Sequence, residues 1–218
     1  MITPDLRDVR RYLGWSLPED STLCEECVAR LNACITPRST WRIFPLKETE
    51  DAVIIENTVI RSASFRRYIS GCTKVILAAC TLGHEPDRLI RRASIGSVLE
   101  ASGLQAAGSA MTETYFRSLH AEISEQMRKE GYYTAGWYSP GYGDLPLSLQ
   151  TDFARLLDLE KTAGITLTDS FLMIPSKSMT AFIGLSEHET SCHDDPCNTC
   201  AMAGSCVYRR KGETHENI

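Results

Sequence analysis

The run Thr73-Lys74-Val75-Ile76-Leu77-Ala78-Ala79-Cys80 is almost continuously apolar and stops at Gly83. A strand without polar alternation is stable only when both faces are covered, so this run predicts a buried central strand. Cys72 and Cys80 are read as packing residues of that strand, since a buried thiol behaves as a small hydrophobe. The pattern then turns helical from Glu85-Pro86 to about Glu130, and proline is well placed at a helix start because its missing N–H has no partner there. Within that helix Ala101, Ser102, Gly103, Ala106, Ala107, Gly108, Ser109 and Ala110 are all small. Glycine in a helix interior costs about 1 kcal/mol against alanine, so Gly103 and Gly108 need a reason. Close approach of another backbone is the ordinary one, and a cofactor lying against the helix is the sharper one.

Other segments fill in around this pair. Residues 5–13 read as a short helix through Leu6, Val9 and Leu13. A second helix is expected from about Pro18-Glu19-Asp20-Ser21 to Ile35. Its stripe includes Leu23, Cys24, Cys27 and Leu31, so Cys24-Glu25-Glu26-Cys27 is explained as core without any ligand. Thr40–Leu46 and Asp51–Val59 are rich in β-branched and aromatic residues and predict strands. Residues 132–146 read as a loop, with Gly136, Gly141 and Gly143 permitting close backbone approach to a ligand. Leu147–Lys161 returns to helix, capped by Gly164. Ser170–Met173 and Met179–Leu185 are expected to form a terminal strand pair. Asp144 and Asp152, the acids nearest the glycine loop, are read as turn and helix-start residues rather than general acids.

At 218 residues, 43% hydrophobic and 23% charged, the chain is long enough for one substantial core. A division into a domain over residues 1–190 and a Cys-rich tail over 191–218 is expected. No segment approaches the roughly 20 apolar residues of a membrane span. Met1–Asp8 lacks the basic and apolar regions of a secretory signal, so a cytoplasmic address is expected. A net charge of −5, with basic residues only in scattered groups such as Arg66-Arg67 and Arg91-Arg92, argues against nucleic acid as a partner.

Five of the nine cysteines lie in the first 80 residues, and the other four are Cys192, Cys197, Cys200 and Cys206. Thiols in a reducing compartment serve as packing, metal ligands or redox groups rather than structural disulfides. The tail is too poor in apolar residues to bury four thiols, and a bound metal would supply its missing folding free energy. Thiolates select zinc or an iron–sulfur cluster. The single CxxC with flanking cysteines is closer to the compact spacing of a [4Fe–4S] protein than to paired zinc knuckles. His188 and His193 are read as solvated neighbours.

Trp137-Tyr138-Ser139-Pro140-Gly141-Tyr142 resembles the AdoMet-binding loop, Arg-x-x-Pro-Gly-Tyr, of the activation domain of vitamin B12-dependent methionine synthase. Glu160-Lys161-Thr162-Ala163-Gly164-Ile165-Thr166-Leu167-Thr168-Asp169-Ser170-Phe171-Leu172-Met173-Ile174-Pro175 resembles a second block of that family, collinear with the first, and leads into Ser176-Lys177-Ser178-Met179-Thr180. Upstream, Thr81-Leu82-Gly83 and Ala107-Gly108-Ser109-Ala110 are similar to features of short, free-standing relatives. The resemblance implies an α+β fold with an antiparallel or mixed sheet and long helices. It also implies a role in methionine biosynthesis: capping the corrinoid of a cobalamin-dependent methyltransferase and presenting S-adenosylmethionine (AdoMet), so that an electron and a methyl group restore methylcobalamin. Ser139, Pro140, Gly141 and Tyr142 would then line AdoMet. The cobalamin would sit on a partner, either a corrinoid-binding protein or a truncated methionine synthase, because the chain has no room for homocysteine, folate and cobalamin modules. A cluster held by the tail would be a delivery point for the electron.

The family's arginine, which pairs with the AdoMet carboxylate, corresponds here to Trp137, and an indole offers no bidentate cation. A docking or small-molecule-binding module that has lost AdoMet is therefore the second reading, and a small redox or metal protein working through its cysteines the third. Nothing in the sequence bears on oligomeric state.

Overall fold

A computed structural model describes residues 1–14, 22–189 and 204. Six strands form one sheet in the order β3-β2-β1-β4-β8-β5: Thr58–Ile60, Val53–Ile55, Arg38–Glu48, Lys74–Thr81, Ser178–Ser186 and Tyr133–Tyr138. Every neighbouring pair is antiparallel. The apolar run is central β4, buried on both faces between β1 and β8. A second, two-stranded ribbon joins β6 (Thr166–Leu167) to β7 (Met173–Ile174). The fold is α+β, with seven α-helices among the described residues.

One face of the sheet carries α3 (Ala63–Ile69), α6 (Gln150–Leu157) and α7 (Leu159–Thr162), which enclose Phe65, Phe153 and Phe182. The other carries α5 (Val98–Lys129), a helix of 32 residues. Phe116, Leu119, Ile123 and Met127 recur at helical spacing and pack on Ile76, Ala78, Ala181 and Ile183 of β4 and β8. Burying each such side chain stabilises by about 1.5–3 kcal/mol. The N-terminal half of α5 runs off the sheet into a helical cluster with α1 (Leu6–Leu13), α2 (Leu23–Asn32) and α4 (Glu85–Gly96).

The small residues are explained there by packing. A Cβ on Gly103 would lie 2.9 Å from the Cys27 sulfur, and one on Gly108 would lie 2.8 Å from Cε of Lys177. The approaching groups are side chains rather than another backbone. Cys24 and Cys27 are 1% exposed, and burial pushes the Cys27 thiol up to about 11, as expected of a core stripe.

Several boundaries differ from the sequence expectation. The single helix over 85–130 is two, broken at Ser97 in extended backbone, whose hydroxyl accepts from the Glu100 N–H; Ser-Val-Leu-Glu is a capping-box sequence. The strand expected over 51–59 is the hairpin β2–β3, turned at Glu56 with φ +51°. The helix over 147–161 is a 3₁₀ turn followed by α6 and α7, separated at Asp158 with φ +51°. The terminal strands do not pair with each other: Met173 pairs with Leu167, whereas β8 inserts between β4 and β5. The expected start of the second helix and residues Cys192, Cys197, Cys200 and Cys206 lie outside the described residues. No described helix is long and apolar enough to cross a membrane.

Candidate functional site

Six of the fifteen residues read as a glycine loop are strand. Among the described residues β5 pairs only with β8, and its register slips between Thr134, opposite Leu185, and Trp137, opposite Ile183. A bulge leaves backbone groups without ladder partners, and side chains from both faces take them up. His120 Nε2 bonds the Ala135 carbonyl at 2.9 Å, and the Tyr68 hydroxyl, with the Gly136 and Phe182 carbonyls both in reach of its one hydrogen, donates from the other face. A carbonyl only accepts, so Nε2 carries the hydrogen. Beyond the bulge, successive residues face opposite sides of the sheet. The Trp137 ring lies edge-on to Phe116 and His120, each with centroids 5.5 Å away. Tyr138 stacks on Tyr68 at 5.0 Å, and its hydroxyl donates to Ser64 Oγ at 2.9 Å.

The chain then turns through Ser139–Asp144. The Tyr142 N–H donates to the Ser139 carbonyl and the Gly141 N–H to that of Leu145. Gly141 has φ +93° and Gly143 φ +54°, and a Cβ on Gly143 would stand 2.7 Å from Ser64 Oγ. Only glycine adopts these angles at little cost. Asp144 anchors the far end of the turn on the N-terminus of α3. Its carboxylate accepts from Ser62 Oγ at 2.5 Å, from the Ala63 N–H at 2.7 Å, from the Ser64 N–H at 3.1 Å and from the Ser64 hydroxyl. The Ser62 and Ser64 hydroxyls, followed by these N–H groups, hold it well below the usual carboxylate range. An acid so fully engaged cannot shuttle protons. Asp152 is also structural, accepting from Thr58 Oγ1 at 2.6 Å and from Arg155 at 3.0 Å.

Of the four residues expected to line a ligand, Ser139 is 8% exposed and Pro140 is buried, whereas Tyr142 is 41% exposed and Gly141 exposed. Ser139 Oγ has no hydrogen-bond partner among the described residues. A buried hydroxyl left so is destabilising by roughly 1–3 kcal/mol, which makes it a natural contact for a polar group from outside the chain.

A second polar cluster, on α1 and α5, was not anticipated from sequence. Tyr12 donates to Glu113 Oε2 at 2.9 Å, while Arg11 bridges Asp8 at 2.7 Å and stands 3.6 Å from Glu113. Arg117 adds a contact to Glu113 at 3.2 Å. Burial, then the charge and hydrogen bond of Glu113, raise the Tyr12 phenol, and Tyr142 contributes as well. Tyr142 at the loop tip therefore lies within electrostatic range of Tyr12, more than 100 residues away in the chain. No local pattern marks Glu113, which follows the small-residue stretch as one acid among several on a helix face. Among the described residues, no three His, Cys, Asp or Glu side chains converge as metal ligands.

Residues 111–192 match the sequence family described as vitamin B12 dependent methionine synthase, activation domain. The fold is similar to that in the crystal structure of the MetH reactivation domain bound to AdoHcy. The TM-score is 0.60 at 17% identity, covering 87% of this chain and 79% of that one. No curated protein matches the chain. The likeness to the activation domain thus rests on sequence over residues 111–192 and on fold over most of the length.

Proposed function

We propose that this activation-domain-like chain binds AdoMet between the Ser139–Tyr142 turn and the α1–α5 cluster, and serves to reactivate a cobalamin-dependent methyltransferase held by a corrinoid-binding partner. The observation that carries the reading is the buried Ser139 hydroxyl without an acceptor or donor, in the turn that resembles the family's AdoMet loop and lies inside the matched residues. The structurally similar domain was crystallised with AdoHcy, which supports the same ligand class here.

The cleft also has the charges such a ligand needs. AdoMet carries an α-amino group, an α-carboxylate and a sulfonium, so its site calls for both signs of charge. Glu113 and Arg11 supply an anion and a cation within 3.6 Å of each other. Arg11 would thereby take the part of the family's arginine, whose position holds Trp137. Tyr142, half exposed at the turn's tip, would stack on the nucleoside or face the corrin.

AdoMet is the methyl donor when bound. The residues of this chain would orient it: the turn would fix its edge through backbone groups, and Glu113 and Arg11 would meet its charged end. Cys192, Cys197, Cys200 and Cys206 would hold a [4Fe–4S] cluster or zinc, a proposal tested by the iron and zinc content of anaerobically purified protein.

Trp137 favours a second reading. Its ring is packed against Phe116 and His120, so this position has been given over to the core, as in a docking module that no longer binds AdoMet. Calorimetric titration of AdoMet into the anaerobically purified chain separates the two. The first reading requires binding in roughly the micromolar range, weakened about tenfold or more in Tyr142→Ala and Ser139→Ala. Absence of heat at millimolar AdoMet would leave the docking module.

A further inference from the structure

Gly184 of β8 lies opposite the bulged residues of β5, since Leu185 pairs with Thr134 and Ile183 with Trp137. Backbone groups at a bulge lose their ladder partners, and here one side chain serves both strands. The Tyr68 hydroxyl accepts from the Gly184 N–H at 3.0 Å, and its hydrogen reaches the Phe182 carbonyl at 2.9 Å and the Gly136 carbonyl. The backbone is closely packed at this point. A Cβ on Gly184 would stand 2.6 Å from Cys72 Sγ and 3.3 Å from Ile69 Cδ1, next to Tyr68 in the chain. The interrupted ladder is thus bridged from α3.

The same helix grips the following residues at two further points. The Tyr68 ring stacks on Tyr138 at 5.0 Å, and the Tyr138 hydroxyl donates to Ser64 Oγ at 2.9 Å. Ser62 and Ser64, at the other end of α3, hold the Asp144 carboxylate. Phe65 between them is buried against Phe182, with ring centroids 4.7 Å apart, which fixes the helix to the sheet. Residues 136, 138 and 144 are therefore tied to one short helix, and Ser139–Tyr142 is slung between the last two. Binding groups must be held to within roughly 0.5 Å to be effective. The tie at the bulge matters most, because a slip of one residue there would exchange the faces of Trp137 and Tyr138.

We propose that Tyr68 is a positioning residue for the Ser139–Tyr142 turn, acting through the bulge and through Tyr138 to present that turn to AdoMet. This rests on the AdoMet reading above. The Tyr68 hydroxyl is engaged by the backbone of β5 and β8, so it acts through the turn and not on the ligand.

Hydrogen exchange followed residue by residue by NMR, together with calorimetric titration of AdoMet, tests this on the full chain. Tyr68→Phe keeps the ring stack and removes the hydroxyl. The Gly141 and Tyr142 N–H groups bond the Leu145 and Ser139 carbonyls. Their exchange is expected to quicken at least about fivefold more than that of Ile76 in central β4. AdoMet should bind about fivefold more weakly. Tyr138→Phe, which removes only the hydroxyl on Ser64, should act in the same direction and serves if Tyr68→Phe does not fold. Met127→Ala opens the core on the other face of the sheet, so it should quicken Ile76 and leave AdoMet affinity unchanged. If the unaltered chain takes no AdoMet, the reactivation reading fails and the exchange measurement alone decides the positioning role. The proposal is overturned if Tyr68→Phe leaves the turn amides no faster relative to Ile76, if it leaves affinity unchanged in a chain that binds AdoMet, or if Met127→Ala weakens AdoMet as much.

Discussion

The His120 imidazole donates through Nε2 to the Ala135 carbonyl at 2.9 Å, joining the long helix to the bulge in edge strand β5. The bond fixes where the strand's extra residue sits. It thereby sets which face Trp137 and Tyr138 occupy and where the following turn begins. One turn further along α5, Ser124 repeats the tie through Thr134 Oγ1 at 2.7 Å.

Burial lowers the pKa of His120 from its ordinary value near 6.5, and the bond to Ala135 offsets only part of this. The sign follows directly. Where the folded value is depressed, the unfolded chain takes up the proton first, so stability is full above about pH 6.5 and declines as pH falls below it. Urea denaturation between pH 5 and 8 should show this decline, and His120→Gln, which keeps a donor but does not titrate, should flatten it. An unchanged slope in the variant would place the effect elsewhere.

Asp144 ties the turn to α3 through four hydrogen bonds. Asp144→Ala is expected to lower stability by about 1 kcal/mol, the usual worth of a helix cap. It should also weaken any ligand held by Ser139–Tyr142, because the turn loses its far anchor. The carboxylate's depressed pKa means that its contribution is present above the ordinary value of 3.8 and fades only in stronger acid. Chemical denaturation at pH 7 and pH 3 measures both effects.

Lys177 gives a pH dependence of the same sign in a different window. Burial, eased by Asp87, brings its pKa from 10.5 down to about 8. The folded protein therefore carries an unfavourable buried ammonium below about pH 8, of order 3 kcal/mol. Stability should rise between pH 8 and 10.5, where the unfolded chain still holds the proton and the folded one has released it. In the unliganded protein Lys177→Met is expected to be more stable than the parent at pH 7, with the gain shrinking toward pH 10. Thermal melts across that range check it.

Gly103 meets α2 so closely that an added methyl would stand 2.9 Å from Cys27 Sγ and 3.2 Å from Leu23 Cγ. Gly103→Ala gains helix propensity yet should still destabilise by about 1–3 kcal/mol, because overpacking outweighs it. Pairing it with Cys27→Ala should recover part of the loss, a coupling that a double-mutant cycle reads out.

Local sequence determined a good deal of this protein. The apolar run at residues 74–81 predicted a central strand, and the 3–4 spacing of Phe116, Leu119, Ile123 and Met127 dictated a helix with one buried face. The stripe through Cys24, Cys27 and Leu31 likewise identified two cysteines as core. The Pro-Gly-Tyr turn and the collinear block after it were legible because glycine and proline act on their own backbone. Ser97 was legible in principle too, as a capping box, yet a helical pattern on both sides hid the break. Tertiary structure alone decided the partners. Sheet order, the bulge at Ala135–Gly136, the union of Tyr12 and Glu113 within range of Tyr142, and the burial of Lys177 against Gly108 all join residues far apart in the chain. Hydrophobic periodicity reports which face of an element is buried. It carries no information on which other element covers that face, and the candidate sites are built from those long-range choices.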